Sequence, residues 1–153
     1  MEELYFFSQI FFAMVLGGLL GWQRERWAKP AGIRTYALVT AGSTLFTILS
    51  LHAFGPNEVG RLAAQVVIGI GFIGAGTILH RSDHIEGLTT AAGLWISAAI
   101  GMAVGVGWYV LAVLCTLLIL AMLIVDEKKL LISTPPSTSA PTKPTKKIAR
   151  ATK

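Results

Sequence analysis

The chain has 153 residues, 54% of them hydrophobic and only 14% charged, with a mean hydropathy of +0.65. That length suits one domain, but the polar surface is too small to cover a soluble core, so the composition is that of an integral membrane protein. Beside apolar runs, the net charge of +5 reads as a topology signal rather than a nucleic-acid footprint, and the single cysteine, Cys115, excludes an internal disulfide.

Crossing a bilayer takes about 20 helical residues. Five runs meet that need: 4–21, 36–54, 62–79, 88–105 and 106–125. None alternates polar and apolar, and backbone groups in lipid need partners within their own segment, so each is expected to be a helix. The expected fold is an all-α bundle of five transmembrane helices within residues 1–126. Met1-Glu2-Glu3 opens the chain and the basic residues follow the first run, which predicts a retained span rather than a cleaved signal peptide. The loop 22–34, WQRERWAKPAGIR, places Pro30 and Gly32 at a turn, and Gly55-Pro56-Asn57 marks the next one. The last two runs can break only at Gly105-Val106-Gly107. Residues 127–153, rich in Pro, Thr and Lys, lack the apolar content to fold alone and are expected to form a disordered cytoplasmic tail.

With the N-terminus outside, twelve of the thirteen Lys and Arg fall on the cytoplasmic side and only Arg61 lies outside. Trp22, Trp27 and Tyr36 then form an inner aromatic belt, and Tyr5, Trp108 and Tyr109 an outer one. Small residues recur at helix-packing intervals: Ala13, Gly17 and Gly21 in the first run, and Gly93, Ser97, Gly101 and Gly105 in the fourth. The third run adds Gly69, Gly71, Gly74 and Gly76. Gly69 to Gly74 spell G-x-G-x-x-G, but inside an apolar run and with Glu86 only 12 residues beyond Gly74 they do not form a dinucleotide loop. Close helix packing, or loosening of the helix, is the expected role of these glycines.

No nucleophile is paired with a base, so no enzymatic activity and no cofactor is expected. His80 and His84 have helical i, i+4 spacing, which could suit a metal but fits interfacial polar residues better. The groups that could carry function collect on the inner side: Glu25, Arg26 and Arg34 around the first loop, and Arg81, Asp83 and Glu86 between the third and fourth runs. Their carboxylates could pair with the arginines or offer oxygens to a hard cation, and these alternatives stay open.

Three blocks in order, GLLGWQRERWAKPAGIRT, RLAAQVVIGIGFIGAGTILHR and GLTTAAGLWISAAIGMAVGVG, resemble the membrane domain of the MgtC/SapB family. The resemblance spans 17–125 and implies a bacterial inner-membrane protein linked to magnesium limitation, acid stress or virulence. It also implies an ATP synthase as a partner by family analogy. The matched motif residues are Glu25, Arg26, Pro30, Gly32 and Arg34, then Arg61, Gln65, the four glycines of the third run and Arg81, then Gly87, Leu88, Thr89, Thr90 and Trp95. Thr89 stands where the virulence-associated members carry an asparagine, and Gln23 where the family commonly has glutamate. Those members continue into a soluble ACT-like domain, whereas this chain carries the Pro/Thr/Lys tail, as expected of the shorter SapB-like members. Two functions follow as expectations. One is a non-enzymatic regulator of another membrane protein; the other is a small oligomeric transporter or channel for Mg²⁺ or another cation. Neither identifies a metal site.

Overall fold

The computed structural model describes residues 1–53, 59–82 and 84–133. Five helices follow one another: α1 (Glu2–Arg26), α2 (Ile33–His52), α3 (Val59–Ala75), α4 (Leu88–Val106) and α5 (Tyr109–Ser133). Two short strands, β1 (Leu79–His80) and β2 (Ile85–Glu86), form an antiparallel hairpin between α3 and α4. The expected turn at Gly55-Pro56-Asn57, the site residue Asp83 and the tail from 134 onward lie outside the described residues.

Several boundaries differ from the hydropathy reading. α1 continues past 21 to Arg26, because Gln23 and Arg24 turn inward and are buried in the bundle. α3 ends at Ala75 rather than 79, where Thr77 and Ile78 donate backbone hydrogen bonds to Gly74 and Ala75 and tighten the last turn. His80 and His84 therefore sit on or beside a hairpin, not one helical face. α4 and α5 separate at Gly107, whose φ of +91° ends the helix. There Gly107 N–H bonds Val104 O and Trp108 N–H bonds Ala103 O, the paired pattern of a left-handed C-terminal cap. α5 runs on to Ser133, beyond the expected end at 125.

α2 is the central element. Tyr36, Thr40, Ser43, Thr44, Thr47 and Ser50 recur at helical spacing and are all buried. Three of these hydroxyls donate to carbonyls one turn back: Thr40 to Tyr36 O (2.8 Å), Thr44 to Thr40 O (2.9 Å) and Thr47 to Ser43 O (2.8 Å). This polar stripe faces the small-residue strip of α4. A β-carbon at Gly101 would collide with the Thr40 carbonyl, and one at Gly105 would stand 2.7 Å from Thr47 Cβ. Gly93 makes room for the Tyr36 ring, and Ser97 is fully buried beside it. On the other side α1 approaches as closely: a β-carbon at Gly17 would lie 2.6 Å from Tyr36 O, and one at Gly21 would lie 2.7 Å from Gly32 O.

The third-helix glycines behave differently from expectation. Gly69 and Gly71 have nothing within 4 Å of the point a β-carbon would occupy, so they do not pack within this bundle. Gly74 is in ordinary contact with Ala91, and Gly76 meets only carbonyls of its own preceding turn. Gly74 thus packs against α4, whereas Gly69 and Gly71 present bare helix surface.

The exterior is strongly apolar, with Phe11, Leu38, Phe72, Val110, Leu118 and Met122 all exposed. A continuous surface of that kind is what a bilayer solvates. Among the described residues, Glu2–Arg26 and Leu88–Val106 are long and apolar enough to cross a membrane, and Gly60–Ala75 and Tyr109–Ile124 are apolar but shorter. α2 has the length, but its buried hydroxyl stripe lowers its hydropathy. At the far end of the bundle Tyr5 and Tyr109 hydroxyls pair at 2.6 Å, and buried Gln9 bonds both Tyr109 (2.8 Å) and the Val104 carbonyl (3.1 Å).

The packing asymmetry is testable. Gly101→Ala should destabilise the protein by about 1–3 kcal/mol through overpacking against α2, whereas Gly71→Ala should be neutral or slightly stabilising. Thermal unfolding of both variants in the same detergent checks the contrast, and equal midpoints would refute it.

Candidate functional site

The end of α1, the start of α2 and the start of α4 converge at one end of the bundle, tied by direct contacts, and the hairpin leads into α4 there. The buried Arg24 guanidinium, 3% exposed, donates from Nη2 to Thr90 Oγ1 at 2.9 Å. It also lies against the Tyr36 hydroxyl, which in turn donates to the Thr90 carbonyl at 3.4 Å. One cation thus joins α1 to α4, with the first full turn of α2 between them. Thr90 carries this contact; its neighbour Thr89 is exposed at the surface.

Glu25 is committed elsewhere. Its Oε2 accepts a hydrogen bond from the Ile33 backbone N–H at 3.0 Å, so it caps α2 from the end of the preceding helix. Gly32, the residue at the N-cap position, has no side chain to do this, and a β-carbon there would lie 2.6 Å from the same carboxylate oxygen. The carboxylate also meets the positive end of the α2 dipole. Between the two helices the chain turns through Ala28, which has a φ of +51° although it is not glycine. Ala28 N–H bonds Glu25 O (3.0 Å) and Lys29 N–H bonds Arg24 O (3.2 Å), the same paired cap that ends α4. Pro30 follows, preventing any continuation of the helix.

The cations around this turn stay at the surface. Arg26 lies 4.6 Å over the Trp22 ring, and Arg34, in the first turn of α2, and Lys29 are exposed. In the hairpin, Arg81 N–H bonds His84 O (2.9 Å). Glu86 accepts from His84 Nε2 (3.1 Å) and meets Arg81 Nε at 3.6 Å. The His84 hydrogen bond, and after it the Arg81 charge, hold the Glu86 carboxyl below its ordinary range. Gly87 joins hairpin to α4 with a φ of +89°, and any β-carbon would strike the Thr77 carbonyl.

Of the expected site residues, Arg81 and Glu86 are brought together, Glu25 and Arg26 find partners within the first turn, and Arg34 and Thr89 are exposed without converging on them. Among the described residues no group of three or more His, Cys, Asp or Glu side chains could hold a metal ion. Arg24, Tyr36 and Thr90 form the contact that hydropathy does not reveal. The only sequence signal for it is an arginine three residues into a polar continuation of an apolar helix.

The turn yields a stability test. Ala28→Gly removes the left-handed penalty of a β-carbon and should raise stability by about 0.5–1 kcal/mol after the flexibility cost of glycine is subtracted. Chemical or thermal denaturation of the detergent-solubilised protein measures it. A loss of stability would mean that Ala28 is not held in this conformation.

A family model for the MgtC family matches residues 10–129. An uncharacterized protein of Haemophilus influenzae is 44% identical over 129 residues, covering 78% of this chain and 54% of the relative. A protein of Escherichia coli K12 named "Putative magnesium transporter YhiD" is 45% identical over 126 residues, covering 75% and 59%. Protein MgtC of Salmonella typhimurium strain 14028s is 47% identical over 108 residues, covering 71% and 46%. The chain therefore spans about half the length of these curated relatives. No solved structure matches it. With the family model spanning residues 10–129, well over half of its length, the chain belongs to the MgtC family.

Proposed function

We propose that this chain is a non-enzymatic protein of the bacterial inner membrane that regulates another membrane protein, in the setting of magnesium or acid stress or virulence. All five helices cross in this reading, with the N-terminus outside and the Arg24–Thr90 end in the cytoplasm. The distribution of Lys and Arg supports that orientation. The observation that carries the regulatory reading is the state of the carboxylates. Glu25 is engaged by the α2 backbone and Glu86 by His84 and Arg81, while Arg26, Lys29 and Arg34 remain presented at the surface beside exposed Trp22 and Trp27. Arginine and tryptophan are the residues that anchor protein interfaces, and a surface rich in cations suits an acidic loop of a partner better than a free cation. An ATP synthase is the partner that family analogy suggests.

The second reading is an oligomeric transporter or channel for Mg²⁺, favoured by the name of the Escherichia coli relative. Several copies would then bring Glu25, Asp83 and Glu86 into a ring at the cytoplasmic mouth. Glu25 would have to leave the α2 N-terminus to serve there.

Both readings meet one pair of experiments. Purification of the full chain from native membranes in mild detergent should recover a second membrane protein, and Lys29→Glu with Arg34→Glu should reduce that recovery by about ten-fold. Recovery of this chain alone would count against regulation by binding. Mg²⁺ uptake into proteoliposomes that vanishes with Glu25→Gln would establish the transporter instead.

A further inference from the structure

We infer that the cleft between the start of α1 and the start of α5 binds a phospholipid whose headgroup carries a primary ammonium. Gln9 takes a proton from the ammonium, and a tyrosine hydroxyl gives one to the neighbouring phosphate. The cleft, of about 530 Å³, is walled by Tyr5, Phe11, Phe12 and Val15 of α1 and Tyr109 of α5, with Gln9 also lining it. Gln9 is 4% exposed, and its amide has one workable orientation. The Val104 carbonyl can only accept, so Nε2 must face it (3.1 Å), and the second amide proton goes to the Tyr109 hydroxyl (2.8 Å). Both donors are used. Oε1 accepts nothing among the described residues and is not sealed from the cleft that Gln9 lines.

The two phenols supply the matching donor. Tyr5 and Tyr109 share one hydrogen bond of 2.6 Å but carry two hydroxyl protons, and Gln9 gives Tyr109 a proton rather than taking one. Whichever phenol donates to the other, one O–H is left without an acceptor among the described residues. The cleft therefore presents one unused acceptor and one unused donor side by side. Charge narrows the ligand further. No Lys, Arg or His lines the cleft. Glu2, Tyr5, Gln9 and Phe12 recur at i, i+3, i+7 and i+10, so the Glu2 carboxylate stands on the same stripe of α1 about one turn from Tyr5, with Glu3 next to it in the chain. An anionic headgroup meets repulsion there, whereas an ammonium is attracted and has N–H groups to give to Gln9 Oε1. Water fits the polar pair alone. The apolar walls that continue from it, with Phe11 and Val15 exposed, select an amphiphile whose acyl chains cover them. A choline headgroup has the same charges but no N–H, so Gln9 distinguishes it from ethanolamine.

This inference rests on the membrane placement of α1 and is independent of any partner at the Arg24–Thr90 end. The full chain, purified in mild detergent, is titrated in native mass spectrometry with ethanolamine, choline and glycerol phospholipids of identical acyl chains. The ethanolamine lipid should bind about ten-fold more tightly than the choline lipid, the effect of one charge-assisted hydrogen bond. It should bind about three-fold more tightly than the anionic glycerol lipid, as expected of exposed carboxylates. Gln9→Leu should erase the preference for ethanolamine over choline. Glu2→Gln with Glu3→Gln, both at exposed positions, should leave that preference intact and remove the margin over the glycerol lipid. Equal binding of the ethanolamine and choline lipids by the unsubstituted chain overturns the inference, as does tighter binding of choline, which would assign recognition to the aromatic walls alone. Displacement by soluble phosphoethanolamine would make the headgroup by itself the ligand and overturn a lipid occupant. Release of the chain from native membranes by carbonate would overturn the placement of α1 itself.

Discussion

The whole bundle depends on how closely α2 can be approached from two sides at once. Gly17 and Gly21 bring α1 onto one side of α2 at the level of the Tyr36 and Gly32 carbonyls, while Gly101 and Gly105 bring α4 onto the other at Thr40 and Thr44. In lipid there is no hydrophobic drive between helices, because the chains are solvated as well by acyl tails as by each other. Adhesion has to come from dispersion over long, close contacts and from hydrogen bonds between helices. Glycine supplies the approach, and the hydroxyl stripe of α2 supplies polar groups that return their protons to local carbonyls. The remaining helices are arranged around this three-helix slab, and α3 and α5 make the looser contacts that leave grooves beside them.

At the Arg24–Thr90 end the polar groups hold the fold before they do anything else. Arg24 joins α1 to α4 through Thr90, Glu25 caps α2, and Glu86 closes the hairpin with His84 and Arg81. This division explains why the surface left over is cationic. Among the described residues, Glu25 and Glu86 are engaged by backbone and hairpin contacts, whereas Lys29 and Arg34 are exposed, as are Trp22 and Trp27. The exposed cationic surface is then a by-product of how the turns are held.

Much of the fold is legible from residue pattern, and the parts that are not have physical causes. Apolar run length finds five helices because the run edges are set by solvent preference. It misplaces the end of α1, because the inward-facing Gln23 and Arg24 are polar yet buried, and run length cannot see a polar residue that has found a partner. It extends α3 over Leu79, because a two-stranded hairpin is too short to alternate visibly. Small-residue spacing points to the α4 strip, where Gly93, Gly101 and Gly105 do meet α2, but it points equally to Gly69 and Gly71, which meet nothing. Spacing reports that a face is flat; it does not report what lies opposite. For the candidate site, the loops that hold the charged residues can be read directly, whereas the pairing of Glu25 with the Ile33 amide depends on a left-handed alanine that no composition rule anticipates.

The hydroxyl of Thr44 has a single proton and two acceptors, the Thr40 carbonyl on its own helix at 2.9 Å and the Gly101 carbonyl on α4 at 2.7 Å. Whichever one it serves, the other acceptor already belongs to a helical backbone ladder and is not left bare. A slight axial slip between α2 and α4 would therefore trade one bond for the other without stranding a donor in hydrocarbon. This close seam thus holds a hydroxyl whose proton can serve either helix, while its glycines keep the two backbones in contact.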